Sequence, residues 1–157
     1  MKKLIPILIF LISCEKDNGF INNLRPIVLP FEVSTNGIDI REEIREINDW
    51  LFPTDAFDCC YDELFWEYES APILERLGVV LVWDGYLPVA GVAELYWNEG
   101  GEILTADVII SEDRREYVIH ELGHVLGLAH DEVEESCMRA PPREGCEITE
   151  HDRRLFR

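Results

Sequence analysis

Apolar and polar positions along the 157-residue chain fall into segments of distinct period. Leu4 to Ile12 is a continuous apolar run, preceded by Lys2 and Lys3 and closed by Glu15, Lys16 and Asp17. It is too short to span a bilayer, which takes about 20 apolar residues. Ile27 to Val33 favours a strand, with Pro26 and Pro30 arguing that it lies at an edge or is interrupted. Ile40, Ile44, Ile47 and Leu51 then recur at helical spacing until Pro53 stops the pattern. Thr54 to Pro72 is rich in aromatics and acids, with a short helix expected only near Asp62 to Glu69. Gly78 to Trp83, Gly91 to Trp97 and Glu102 to Ile110 read as three strands, the last two parted by Gly100-Gly101. Asp113 with Glu116 three positions on is the signature of a capped helix, whose buried stripe is Val118, Leu122, Val125 and Leu126. Thr149 and Asp152 repeat the signature before a short final helix. Strand, helix, several strands and a second helix, in that order, predict an α+β fold.

The chemistry concentrates at the end of the second helix, where His120 to Asp131 read HELGHVLGLAHD. His120 and His124 are four apart, so they project from one helix face as two ligands of one cation require. Catalytic zinc usually takes three protein ligands and leaves a fourth position to water. His130 supplies the third if the helix stops and the chain turns back, and Gly127 permits that because glycine enters the left-handed region freely. Glu121 points beside the ligands, placed to act as general base on a water whose pKa zinc lowers to about 7. The remaining histidine, His151, reads as a surface or capping residue, because the ligand set is already complete.

This stretch resembles the zinc signature of the metzincin metallopeptidases, HExxHxxGxxH, and its wording is closest to the matrixin-like branch. Met138, in SCMRAP eight residues after His130, is similar to the methionine turn those enzymes carry beneath the metal. The resemblance implies a mixed twisted sheet packed on two helices, the zinc-binding helix being followed by a small C-terminal subdomain with a methionine turn and a short final helix. It further implies a zinc-dependent endopeptidase with one catalytic Zn2+, acting on protein or peptide substrates. The cleft-edge strand would align the substrate backbone, and GVAELYW is the candidate. The segment Met138 to Cys146 would wall the pocket for the residue after the scissile bond. There Arg139 replaces the tyrosine typical of matrixins, and an inward guanidinium would favour acidic or hydrogen-bonding side chains. All four histidines lie at or after position 120, so the second, structural zinc of matrixins is not expected. Calcium has hard oxygen candidates in Glu102, Asp107, Glu112 and Asp113, which surface acidity explains equally well.

The opening MKKLIPILIFLISC reads as a secretory signal peptide. Its end, Leu11-Ile12-Ser13-Cys14, resembles the bacterial lipobox, in which the cysteine is lipidated and becomes the first residue of the mature protein. The expected organisation is a leader over residues 1–13, a tether over 14–25 anchored through Cys14, and a metallopeptidase domain over 26–157. Nothing upstream of Pro26 is long enough for a latency prodomain, so none is expected. Glu15, in place of the aspartate that resembles an inner-membrane retention signal, leans towards the outer membrane or cell surface. Thirty-two acidic residues against 14 basic ones give a net charge of -18, which makes nucleic acid a poor partner. The length fits one domain, expected to be monomeric.

Four cysteines besides Cys14, an even number in an exported protein, point to disulfides. Of three pairings, Cys137 with Cys146 is favoured because so short a loop could be stapled beside the methionine turn. Cys59 and Cys60 would then form a vicinal bridge or stay reduced. A four-cysteine zinc site would lack the usual two CxxC pairs. Two function classes compete: a lipid-anchored zinc endopeptidase, and a non-catalytic zinc-binding surface lipoprotein acting as a binding module. Glu121 favours the first, since a site kept for binding needs no base.

Overall fold

A computed structural model of the chain describes residues 8–13, 24–26, 29–51, 55–58, 60 and 75–156. The helix expected near 62–69, together with Cys14 and Cys59, lies outside the described residues. Among the described residues ten elements follow in order: β1 (Leu8–Ser13), β2 (Arg25–Pro26), β3 (Phe31–Asn36), α1 (Arg41–Trp50), β4 (Phe57–Asp58), β5 (Val79–Asp84), β6 (Gly91–Trp97), β7 (Glu102–Ile110), α2 (Arg115–Val125) and α3 (Glu150–Phe156). Seven strands make one sheet in the order β1-β6-β7-β5-β3-β4, with β2 paired beside the start of β7. β3, β4, β5 and β7 are parallel neighbours, whereas β6 runs against β7 and β1 against β6. The α+β expectation holds: a mixed sheet packed by helices.

Local chemistry accounts for most boundaries. Parallel β3 and β5 need a crossover, which α1 begins. Its Ile44 and Ile47 are buried in the core, as are Ile40 and Leu51 at its two ends. The β6–β7 turn is closed by Asn98, whose Oδ1 accepts from the backbone of Gly100 at 2.9 Å and of Glu102 at 3.1 Å. Two expectations change. The strand expected over Ile27 to Val33 begins only at Phe31, past Pro30, and it sits inside the sheet, between β5 and β4, and not at its edge. Asp113 does not cap α2: the N-cap is Arg114, without a side-chain hydrogen bond, and its guanidinium pairs with Glu116 instead.

Residues 8–13, within the apolar run read as the leader, lie along β6 from Leu8 opposite Trp97 to Ser13 opposite Val92. Without them β6 is the sheet's edge. Leu24 and Arg25, at the end of the stretch read as a tether, pack on the body: Leu24 touches the core, and the Arg25 amide donates to the Gly101 carbonyl at 3.0 Å.

The main core lies between the sheet and the first two helices, joining Phe31, Val33, Val80, Val82, Leu95 and Val108 to Ile44, Ile47, Leu122 and Val125. The opposite face carries polar groups. Arg76, 6 % exposed, donates to both oxygens of Asp107 at 2.7 and 3.3 Å, and Tyr96 donates to Asp107 at 3.0 Å. Burial, and then the Asp107 carboxylate, raises the Tyr96 hydroxyl pKa far above its usual range, so it stays a donor. Arg76→Ala would strand a buried carboxylate, and we expect it to cost about 3–5 kcal/mol in chemical denaturation. A loss below about 1 kcal/mol would show that water reaches Asp107 and that the pair contributes little.

Candidate metal centre

The three histidines are positioned by the way α2 ends. Gly127 adopts φ +84°, its amide donates to the His124 carbonyl at 2.9 Å, and the Leu128 amide donates to the Gly123 carbonyl at 3.0 Å. This pair of bonds is the Schellman arrangement, which needs a left-handed residue at the position glycine fills. A side chain there would also meet the Leu24 carbonyl, 2.4 Å from where its Cβ would stand. Past this turn the chain doubles back and brings His130 to the two helix histidines. The Nε2 atoms of His120, His124 and His130 lie 3.2 Å from one another in every pairing. Tetrahedral bonds of about 2.0–2.1 Å to a shared cation would set such atoms roughly 3.3 Å apart.

Hydrogen bonds fix which nitrogens face the centre. His120 Nδ1 donates to the Cys137 carbonyl at 2.7 Å, and His124 Nδ1 donates to the Leu128 carbonyl at 2.8 Å. Each ring is therefore the Nδ1–H tautomer when neutral, with the Nε2 lone pair turned inward. Burial lowers the His120 pKa to about 4 against the rise its bond to Cys137 would give, with His130 adding to the lowering. Burial lowers His124 well below the ordinary value, reinforced by His120 and His130. At neutral pH these two rings thus present lone pairs to each other at hydrogen-bond distance with no proton between them, a repulsive arrangement that a cation relieves. The three histidines are placed to hold a metal ion, and among the described residues they are the one group of three such side chains close enough to share one.

Glu121 is fully buried beside them and lies against the first residue of β6: a Cβ on Gly91 would stand 2.9 Å from its Cγ and Oε1. Only glycine leaves that carboxylate its place. On the other side of α2, a Cβ on Gly123 would come 2.3 Å from the Met138 Sδ, so the methionine packs directly against the ligand helix. Met138 is itself held by Ser136, whose Oγ accepts from the Met138 amide at 2.9 Å.

Ser136 in turn donates to the wholly buried Asp152, 3.0 Å from each carboxylate oxygen. Asp152 Oδ2 also accepts from the Thr149 amide at 2.7 Å, while the Asp152 amide donates to Thr149 Oγ1 at 3.3 Å. The expected capping box is therefore formed, and the cap of α3 also secures the loop that carries Met138. Asp152→Ala should lose the cap and leave Ser136 without its acceptor, at roughly 2–3 kcal/mol in thermal unfolding. An unchanged melting temperature would detach the cap from the loop.

The favoured disulfide is present: Cys137 and Cys146 are bonded. Arg139 is half-buried, and its amide donates to the Ser136 carbonyl at 3.2 Å. His151 is an exposed side chain 3.3 Å from Asp131, outside the histidine cluster. The four calcium candidates do not converge. Glu102 opens β7 and bonds Asn98, Asp107 is taken by Arg76, and Glu112 and Asp113 follow the far end of the same strand. Sequence reasoning missed Gly91 and the carbonyls of Cys137 and Leu128. Ser136 had a local signal, since serine two residues before an amide is a common turn former. No protein-family model matches the chain, and no curated protein matches its sequence.

Proposed function

We propose that the protein is a zinc-dependent endopeptidase of metzincin-like, matrixin-like type. The observation that carries this reading is the set of three inward Nε2 atoms at 3.2 Å spacing with Glu121 buried next to the first of them. Imidazole donors suit zinc, and three of them leave a coordination position open for chemistry. Bound there, zinc would supply Lewis acidity and lower the pKa of a water molecule towards neutrality. The chain's own groups do the rest. Glu121 takes the proton from the attacking water and returns it to the leaving amine, which needs a carboxylate held still against Gly91. The outer edge of β6, exposed once residues 8–13 are gone, offers backbone groups to an extended substrate by strand addition. The parallel sheet with one antiparallel strand beside the metal helix agrees with this reading.

The test is cleavage of an unbiased peptide library by the chain from Asn18 onward, with bound zinc measured in the same sample. Stoichiometric zinc and a defined cleavage pattern are the expected results. Zinc without cleavage would leave a binding module, and absence of both would remove the proposal.

Export and anchoring belong to the same reading, with Cys14 lipidated and the domain held at the outer membrane or cell surface. Among the described residues no helix is long and apolar enough to cross a membrane. A Cys14→Ser precursor should escape lipidation and leave the membrane fraction. Its continued sedimentation with membranes would assign the anchoring to the apolar segment or to a partner.

A further inference from the structure

We infer that the Cys137–Cys146 disulfide is a positioning element of the metal site, acting on His120 through the Cys137 carbonyl. The inference rests on reading His120 as a metal ligand. The two helix histidines are oriented by acceptors of different kinds. His124 donates to Leu128, inside the turn that ends its own helix. His120 donates to a residue 17 positions away, so its orientation depends on where a separate loop is held.

That loop is held at Cys137 by several constraints. Its sulfur is bonded to Cys146, its amide donates to the Glu147 carbonyl at 3.0 Å, and its side chain packs with Ile119 and Ile148. The Cys146 carbonyl accepts from the Arg115 guanidinium at 3.0 Å, and Arg115 also pairs with Glu46 of α1. A tie with one covalent link therefore runs from the start of α2, through the disulfide, to the carbonyl that orients the helix's first histidine. The same loop carries Met138, packed on Gly123. Reduction by a phosphine and water converts the disulfide to two thiols: the phosphine gives two electrons and becomes the phosphine oxide, and water gives the two protons and the oxygen. The loop between the two cysteines, nine positions apart, then regains freedom, and the carbonyl loses its fixed place. Groups that orient a metal ligand from behind are each worth about 10–100-fold in metal affinity.

The experiment measures the zinc dissociation constant of a Cys137→Ala/Cys146→Ala chain by chelator competition, and the visible spectrum of its cobalt form. A rise of about 10–100-fold and an altered cobalt band are expected. The same double substitution in a His120→Ala background should bring no further loss, whereas general loosening of the fold would weaken binding there equally. Unchanged zinc affinity and cobalt spectrum, or an equal loss in the His120→Ala background, would overturn the inference. If the double variant does not fold, zinc-loaded wild-type chain is reduced instead, since bound metal stabilises the native state. Zinc release to a chelator should then quicken by about 10–100-fold, and an unchanged rate overturns the inference. Oxidised wild-type chain that binds no zinc would instead defeat the metal reading itself.

Discussion

Replacing Glu121 by alanine is expected to leave stoichiometric zinc in place and to lower peptide hydrolysis by about 10²- to 10⁴-fold, the range a positioned general base contributes. The zinc is expected to stay because the carboxylate is no ligand: the three imidazoles converge without it. The rate falls because water without a base must lose its proton unaided. Glu121→Gln, which keeps the volume, separates lost basicity from lost packing, and both variants should lose activity alike. Gly91→Ala gives a second handle. The added methyl would stand 2.9 Å from Glu121 Oε1 and displace the carboxylate without removing it, so activity should fall there too. Near-wild-type turnover by Glu121→Ala would mean that another group takes the proton, and the metzincin-like mechanism would not apply.

Alanine at His120, His124 or His130 should cost most of the metal affinity. If three ligands share an apparent zinc free energy of about 10–16 kcal/mol, losing one costs on the order of 3–5 kcal/mol, or two to more than three decades in dissociation constant. Chelator competition measures this directly. A variant series that still holds a full equivalent of zinc at wild-type affinity would exclude the ligand set. Acid titration of the metal-free chain offers an independent check. Unfolded imidazole takes up its proton near pH 6.5, whereas burial holds His120 neutral down to about 4. Between these values the unfolded state binds more protons, so metal-free stability should fall as pH falls from 6.5 towards 4. Above that window both states are neutral and the histidine contributes no pH dependence. In His120→Ala the slope should be shallower, and an identical slope would mean that the ring is solvated in the native state.

Much of this architecture was legible in the sequence because it rests on local chemistry. Apolar runs bounded by glycines became β5, β6 and β7 with boundaries shifted by at most one residue. Isoleucines at helical spacing became α1, the glycine after HELGHVL became a left-handed helix stop, and Thr149 with Asp152 became a capping box. In the helix, the stop and the cap the deciding interaction spans five residues or fewer. Local reasoning failed where another partner competed. Asp113 had the spacing of a cap, but the Arg114–Glu116 ion pair left it outside the helix. Asp107 looked like a hard oxygen ligand, yet Arg76, 31 residues away, occupies both its oxygens.

The sequence by itself determined the chemical set: three imidazoles, with a carboxylate beside the first, at offsets that a helix and one glycine turn bring together, because helix periodicity and glycine's freedom are properties of the residues alone. Tertiary structure decided how that set is held. Every residue carries a carbonyl, so nothing in the sequence singles out those of Cys137 and Leu128 as the acceptors that turn two Nε2 atoms inward. Nor does a glycine at the head of a strand announce that it makes room for a carboxylate 30 residues later. The Cys137 and Gly91 contacts join segments far apart along the chain, and they exist only once sheet, helices and C-terminal loop have packed around the same few ångströms.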